Sequence, residues 1–130
     1  MQNENPQGIE ICKVAEAFIS GGSKTLSYTD NQYGGNATLN RVVDFSSQGA
    51  MKMIGWFSGH THHDYQKTIN GVTYIVTLCG QYSSGVDENY IAMDKDTYSE
   101  IALDYLSVDK AQRKAKLTRY GAGSDSEWNW

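Results

Sequence analysis

All three histidines of this 130-residue chain fall within four positions, in Gly59-His60-Thr61-His62-His63-Asp64. In an extended segment side chains alternate, so His60 and His62 project to one side while Thr61 and His63 point away. Neutral imidazole is the commonest metal ligand, and a strand-end His-x-His is on chemistry alone a candidate for holding an ion. Gly59 has no Cβ, which permits a sharp departure from the strand and close approach of a ligand. His63 and Asp64 could face a substrate, or Asp64 could orient His62, because metal-bound imidazoles usually donate their second N–H to a carboxylate or carbonyl. The same spacing also suits two surface or half-buried histidines beside a sheet edge, and His63 and Asp64 are equally ordinary as exposed loop residues.

Other residues with chemical potential are less ordered in sequence. Six tyrosines (Tyr65, Tyr82, Tyr90, Tyr98, Tyr105 and Tyr120) could line a cleft, although tyrosine at strand positions is usually sheet packing. Asn36 and Arg41 have no neighbours that would fix a phosphate. Cys12 and Cys79 lack metal-ligand spacing, and a bridge between them stays open. The net charge of −4, with acids and bases interspersed, disfavours direct nucleic-acid binding. The one basic stretch, Lys110 to Lys116, reads as a turn and strand edge. With no signal peptide and no run long enough to span a bilayer, a reduced, cytoplasmic setting without membrane contact is the expectation.

The elements that must position the histidines follow from pattern. Ile9, Cys12, Ala15, Phe18 and Ile19 predict an amphipathic helix from Ile9 to Ser20, stopped by Gly21-Gly22. Residues 1–8 read as a disordered lead or severed linker. Strands are expected at Thr25–Thr29, Thr38–Phe45 and Met51–Phe57, the last nearly continuous in apolar character and therefore central. Asn70-Gly71 predicts a type I′ hairpin returning through Thr73–Leu78. A turn at Asp94–Thr97 and a last hairpin, Ile101–Val108 with Lys114–Tyr120, complete the pattern. Residues 126–130 read as a tail in which Trp128 and Trp130 either dock or remain disordered. One helix followed by about six mostly antiparallel strands is an α+β arrangement, best taken as one domain.

The apolar run Ile54 to Ser58 leading into Gly59-His60-Thr61-His62, with the Thr68–Thr77 hairpin after it, resembles the last metal-binding motif of calcineurin-like metallophosphoesterases. The ending Lys116 to Asp125 is similar to the closing strand of bacterial and phage-type members, which extends the likeness over residues 9–125. The resemblance implies the C-terminal part of an α/β/β/α sandwich that hydrolyses phosphate esters with two divalent ions, Mn, Fe or Zn. It implies His60 as ligand to one ion and His62 to the other. The Asp-x-His, Gly-Asp, Gly-Asn-His and lone His motifs that precede this one in the family are not in the chain. A bridged pair of ions about 3.5–4 Å apart needs several ligands each, so the isolated chain is expected to be inactive and to want a missing N-terminal half. Such a cut would leave Met51–Phe57 unpaired, which predicts a homo-oligomer. The alternative is a non-catalytic β-rich binding or assembly module whose His-x-His is incidental or holds a structural ion.

Overall fold

The computed structural model describes residues 6–30, 37–59, 63–78 and 93–130, without the side chains of residues 6 and 7. It is α+β, with one α-helix and eight mostly antiparallel strands in three small sheets. The chain divides into two compact units, Met1–Met53 and Ile54–Trp130. No helix among the described residues is long and apolar enough to cross a membrane.

In the first unit, helix α1 (Pro6–Ser20) packs on the antiparallel hairpin of β1 (Ser23–Asp30) and β2 (Ala37–Asp44). The helix starts at Pro6 rather than Ile9, because proline lacks only an N–H that the first turn leaves unbonded anyway. It stops where expected. Gly21 has φ +63°, with Gly21 N donating to Phe18 O and Gly22 N to Ala17 O at 3.0 Å, the paired bonds of a Schellman end. Any side chain at Gly21 would collide with the Gly49 backbone. Ala15, Ala17 and Leu26 form the buried side of this layer, and Phe18 meets Phe45 edge to face at 5.4 Å.

In the second unit, β3 (Trp56–Ser58), β4 (Tyr65–Ile69) and β5 (Val72–Val76) form a sheet in the order β3-β5-β4. The central strand is β5. All five of its residues are buried, and it pairs parallel with β3 and antiparallel with β4. The expected long central strand at Met51–Phe57 is therefore corrected to a three-residue edge strand. Ile54 and Gly55 stand outside the ladder: the Ile54 carbonyl accepts the Trp128 indole N–H at 2.5 Å, and a Cβ at Gly55 would strike Ile75. The Asn70-Gly71 turn has φ +50° and +80° between Ile69 and Val72, as a two-residue type I′ loop requires.

A second sheet, β6 (Ala102–Asp109), β7 (Lys114–Gly121) and β8 (Ser126–Asn129), completes the unit in that order. Asp109 Oδ1 accepts the Ala111 and Gln112 amides and fixes the β6–β7 turn. Within the expected tail, Ser126–Asn129 form β8, and Trp128 takes the docked alternative. Four residues with one apolar side chain carry no readable period, but Trp128 is buried with Ile75, Ala115 and Leu117 in the core. Among the described residues there are eight strands rather than about six, the extra ones being short. The Asp94–Thr97 turn is present and leads into a single 3₁₀ turn, Tyr98–Glu100, capped by the Thr97 hydroxyl.

Candidate functional site

His60 and His62, the expected metal ligands, lie outside the described residues together with Thr61. What precedes and follows them is described. β3 ends at Ser58, whose carbonyl accepts Thr77 N at 3.0 Å, so the parallel pairing with the β5 side carries to the edge of the motif. Gly59 is exposed and lies outside the left-handed region, and among the described residues a Cβ there would meet only Thr77 O, at 3.9 Å. The backbone conformation at Gly59 therefore imposes no need for glycine. His63 is half-buried.

Asp64 is the firmest point of the segment. Its Oδ1 accepts Leu78 N at 2.9 Å and Arg119 Nη2 at 2.7 Å, and its Oδ2 accepts Arg119 Nη1 at 3.2 Å and Ser124 N at 3.4 Å. Two bonds to each oxygen occupy the acceptor sites of a carboxylate. Arg119 reaches further, with Nε donating to Asp104 Oδ1 at 2.8 Å, Nη2 to Asp104 Oδ2 at 3.1 Å and Nη1 to Ala122 O at 2.5 Å. All five guanidinium donors are thereby engaged, and the side chain is only 3% exposed. Burial alone works to depress the Arg119 pKa, but the hydrogen bonds it donates to Asp104 and Asp64 outweigh it and hold the value above the usual arginine range.

This cluster ties the chain just after the histidines to the hairpin of β6 and β7. Gly123, at φ +95°, lets the 122–124 turn pass over it, since a Cβ there would strike Arg119 and Asp64. A cleft of about 140 Å³ opens beside the cluster, lined by Asp64, Gln66, Thr77, Asp104, Arg119 and Ser124 among others. Neither Arg119 nor Asp64 has spare bonding capacity to offer a ligand in that cleft. The pair anchors; it does not present a charge.

Sequence reasoning found Asp64 but missed Arg119, Asp104 and Gly123. The signal was present: counting back from the Asp109 turn sets Asp104 directly opposite Arg119 in the β6–β7 register. Of the tyrosines proposed for a cleft, Tyr65 lines this one, while Tyr98, Tyr105 and Tyr120 are exposed and Tyr82 and Tyr90 lie outside the described residues. Arg41 is exposed and donates to its neighbour Asn40 O, and Asn36 lies outside the described residues. Cys12 is a half-buried free thiol, and Cys79 lies outside the described residues. No group of three or more His, Cys, Asp or Glu stands together among the described residues. Comparison with protein-family models, with curated proteins and with solved structures finds no match to this chain.

Proposed function

We propose that this chain is the C-terminal part of a calcineurin-like metallophosphoesterase, with His60 and His62 each giving one ligand to a pair of divalent ions. The observation that carries the reading is Gly59-His60-Thr61-His62 placed directly after β3, followed by the β4–β5 hairpin. β3 runs parallel to its neighbour, and ligand sites of parallel strands gather beyond their carboxyl ends, where this motif begins. The donor set is partial. Asp64 is committed to Arg119, so the motif is left with two imidazoles and no free carboxylate, too few for two ions. When bound, such a pair of ions supplies an activated water and clamps the phosphoryl oxygens. The role left to these residues is to hold two imidazoles on a segment braced by Asp64.

Elemental analysis and titration calorimetry with Mn²⁺ and Zn²⁺ test this. Weak binding of less than one ion per chain is expected, lost on His60→Ala or His62→Ala. The chain alone is expected to leave bis(p-nitrophenyl) phosphate intact. Joined to a segment carrying Asp-x-His, Gly-Asp and Gly-Asn-His, it is expected to hydrolyse that ester in a His62-dependent way. Metal binding unaffected by both alanine variants would overturn the reading.

A second reading is a non-catalytic β-rich assembly module, favoured by exposed Leu103 and Tyr105 on β6 and Tyr120 on β7. It expects no hydrolysis with or without metal, His60 and His62 being incidental or holding an ion that acts on stability alone.

A further inference from the structure

Among the described residues, every sheet edge except one carries a device that discourages pairing with another chain. The outward-facing Ser27 amide of β1 is taken by the Glu10 carboxylate at 2.9 Å. β2 carries the exposed Arg41, β3 has three residues, β4 has five with Lys67 exposed, and β8 has four with Glu127 exposed. Short length, cationic side chains and covered amides are the usual defences of an edge. β6 has none of them.

β6 is eight residues long, Ala-Leu-Asp-Tyr-Leu-Ser-Val-Asp, without lysine, arginine or proline. Its register with β7 is unbroken over all eight pairs, so no bulge twists it away. It ends the sheet order, with no strand on its other side among the described residues. Ala122 N donates to Ile101 O at 2.8 Å, and the antiparallel alternation then turns the amides of Asp104, Leu106 and Val108 away from β7. Along this edge Leu103 is 60% exposed, Tyr105 74% and Leu106 39%, and Tyr120 beside Leu103 is 56% exposed.

We infer that β6 pairs antiparallel with β6 of a second copy about a two-fold axis, joining two three-stranded sheets into one of six. Charge selects this occupant. Asp104 is neutralised by Arg119 within its own chain, and the other acid, Asp109, lies at the strand's end. An antiparallel two-fold joint sets the two Asp109 side chains at opposite ends, about 25 Å apart at strand spacing and beyond the screening length at physiological salt. No like charges meet. Leu103 and Tyr105 of both copies come onto one face, where cross-strand aromatic and aliphatic pairs stabilise the joint. The interface is thus at β6 rather than at Met51–Phe57, and it stands apart from any metal reading.

Sedimentation equilibrium of the full chain across a concentration series tests the inference. A mass twice the 14.5 kDa of one chain is expected, dissociating on dilution. Tyr105→Lys, at an exposed position, is expected to raise the dimer dissociation constant at least about tenfold while the melting temperature of the diluted chain holds. Leu106→Pro removes an outward amide and is expected to act likewise. Val42→Lys, a change at another exposed position, on β2, is expected to leave the dimer intact. A wild-type chain that stays monomeric at high concentration overturns the inference, and so does a dimer that Tyr105→Lys leaves unchanged or that Val42→Lys dissolves.

Discussion

Arg119 and Asp64, fifty-five positions apart, meet through two parallel hydrogen bonds of 2.7 and 3.2 Å, with the arginine closed off from solvent. This bond joins the segment after the histidines to β7, the central strand of the second sheet. Fork-to-carboxylate geometry makes the joint directional as well as charged, which lysine would not reproduce.

Removing the arginine leaves Asp64 and Asp104 facing each other, 27% and 15% exposed, with nothing between them. Arg119→Ala is therefore expected to cost about 3–5 kcal/mol, the range for breaking one partner out of a buried pair. Arg119→Lys restores charge without the fork and is expected to recover part of that loss. Urea denaturation followed by tryptophan fluorescence checks both. A loss for Arg119→Ala no larger than that of an ordinary surface change would show the cluster to be solvated.

Trp128 closes the core from β8. It is 6% exposed, meets Phe57 edge to face at 5.9 Å, and gives its indole N–H to Ile54 O. Trp128→Ala is expected to destabilise by about 3–5 kcal/mol. Trp128→Phe keeps most of the ring but leaves the Ile54 carbonyl without its donor, and is expected to cost about 1–3 kcal/mol. Melting curves by circular dichroism separate the two.

The Asn70-Gly71 turn holds the register of β4 on the buried β5. Gly71, at φ +80°, accepts no Cβ without strain, so Gly71→Ala is expected to cost about 1–2 kcal/mol, while Asn70→Gly stays within about 0.5 kcal/mol. Chemical denaturation midpoints check the contrast.

How much of this was legible depended on whether a signal was local. The Gly21 helix stop, the Asn70-Gly71 turn and the hairpin at Asp109 each rest on a backbone angle or cap within a few residues, and all three stand as the sequence suggested. Met51–Phe57 misled because an apolar run does not say what consumes its carbonyls, and the partner of Ile54 lies seventy-four positions away in Trp128. β8 was hidden for the same reason. For the site, His60 and His62 rest on side-chain spacing and on the resemblance of the motif around them, and both lie outside the described residues. The bracing role of Asp64 required the pairing of β6 with β7 to bring Arg119 and Asp104 together.

Acid sensitivity is expected to begin with Glu10. This carboxylate sits on α1, takes Lys13 Nζ at 2.7 Å on one oxygen and the Ser27 amide of β1 on the other, and so joins the helix to the strand edge. The hydrogen bond from Lys13 does most to hold its pKa below the ordinary 4.5, burial works the other way, and the Ser27 amide adds to the lowering. A carboxyl group lowered by folding contributes stability that is present above its unfolded pKa and is lost as pH falls through the folded value. Asp125 behaves alike, held down first by Lys116 and then by the Arg119 amide, whereas Lys116 is raised and its contribution is lost only on the alkaline side. Glu10→Gln keeps an oxygen for Ser27 but removes the titration. The variant is expected to be less stable than wild type at neutral pH and to converge with it in acid, with urea midpoints from pH 7 to about 3 as the measurement. Lys13→Ala is expected to move the Glu10 carboxyl titration, followed by carbon NMR, back toward its ordinary value. Parallel pH curves for wild type and Glu10→Gln would show that the helix-to-strand bond does not titrate with folding.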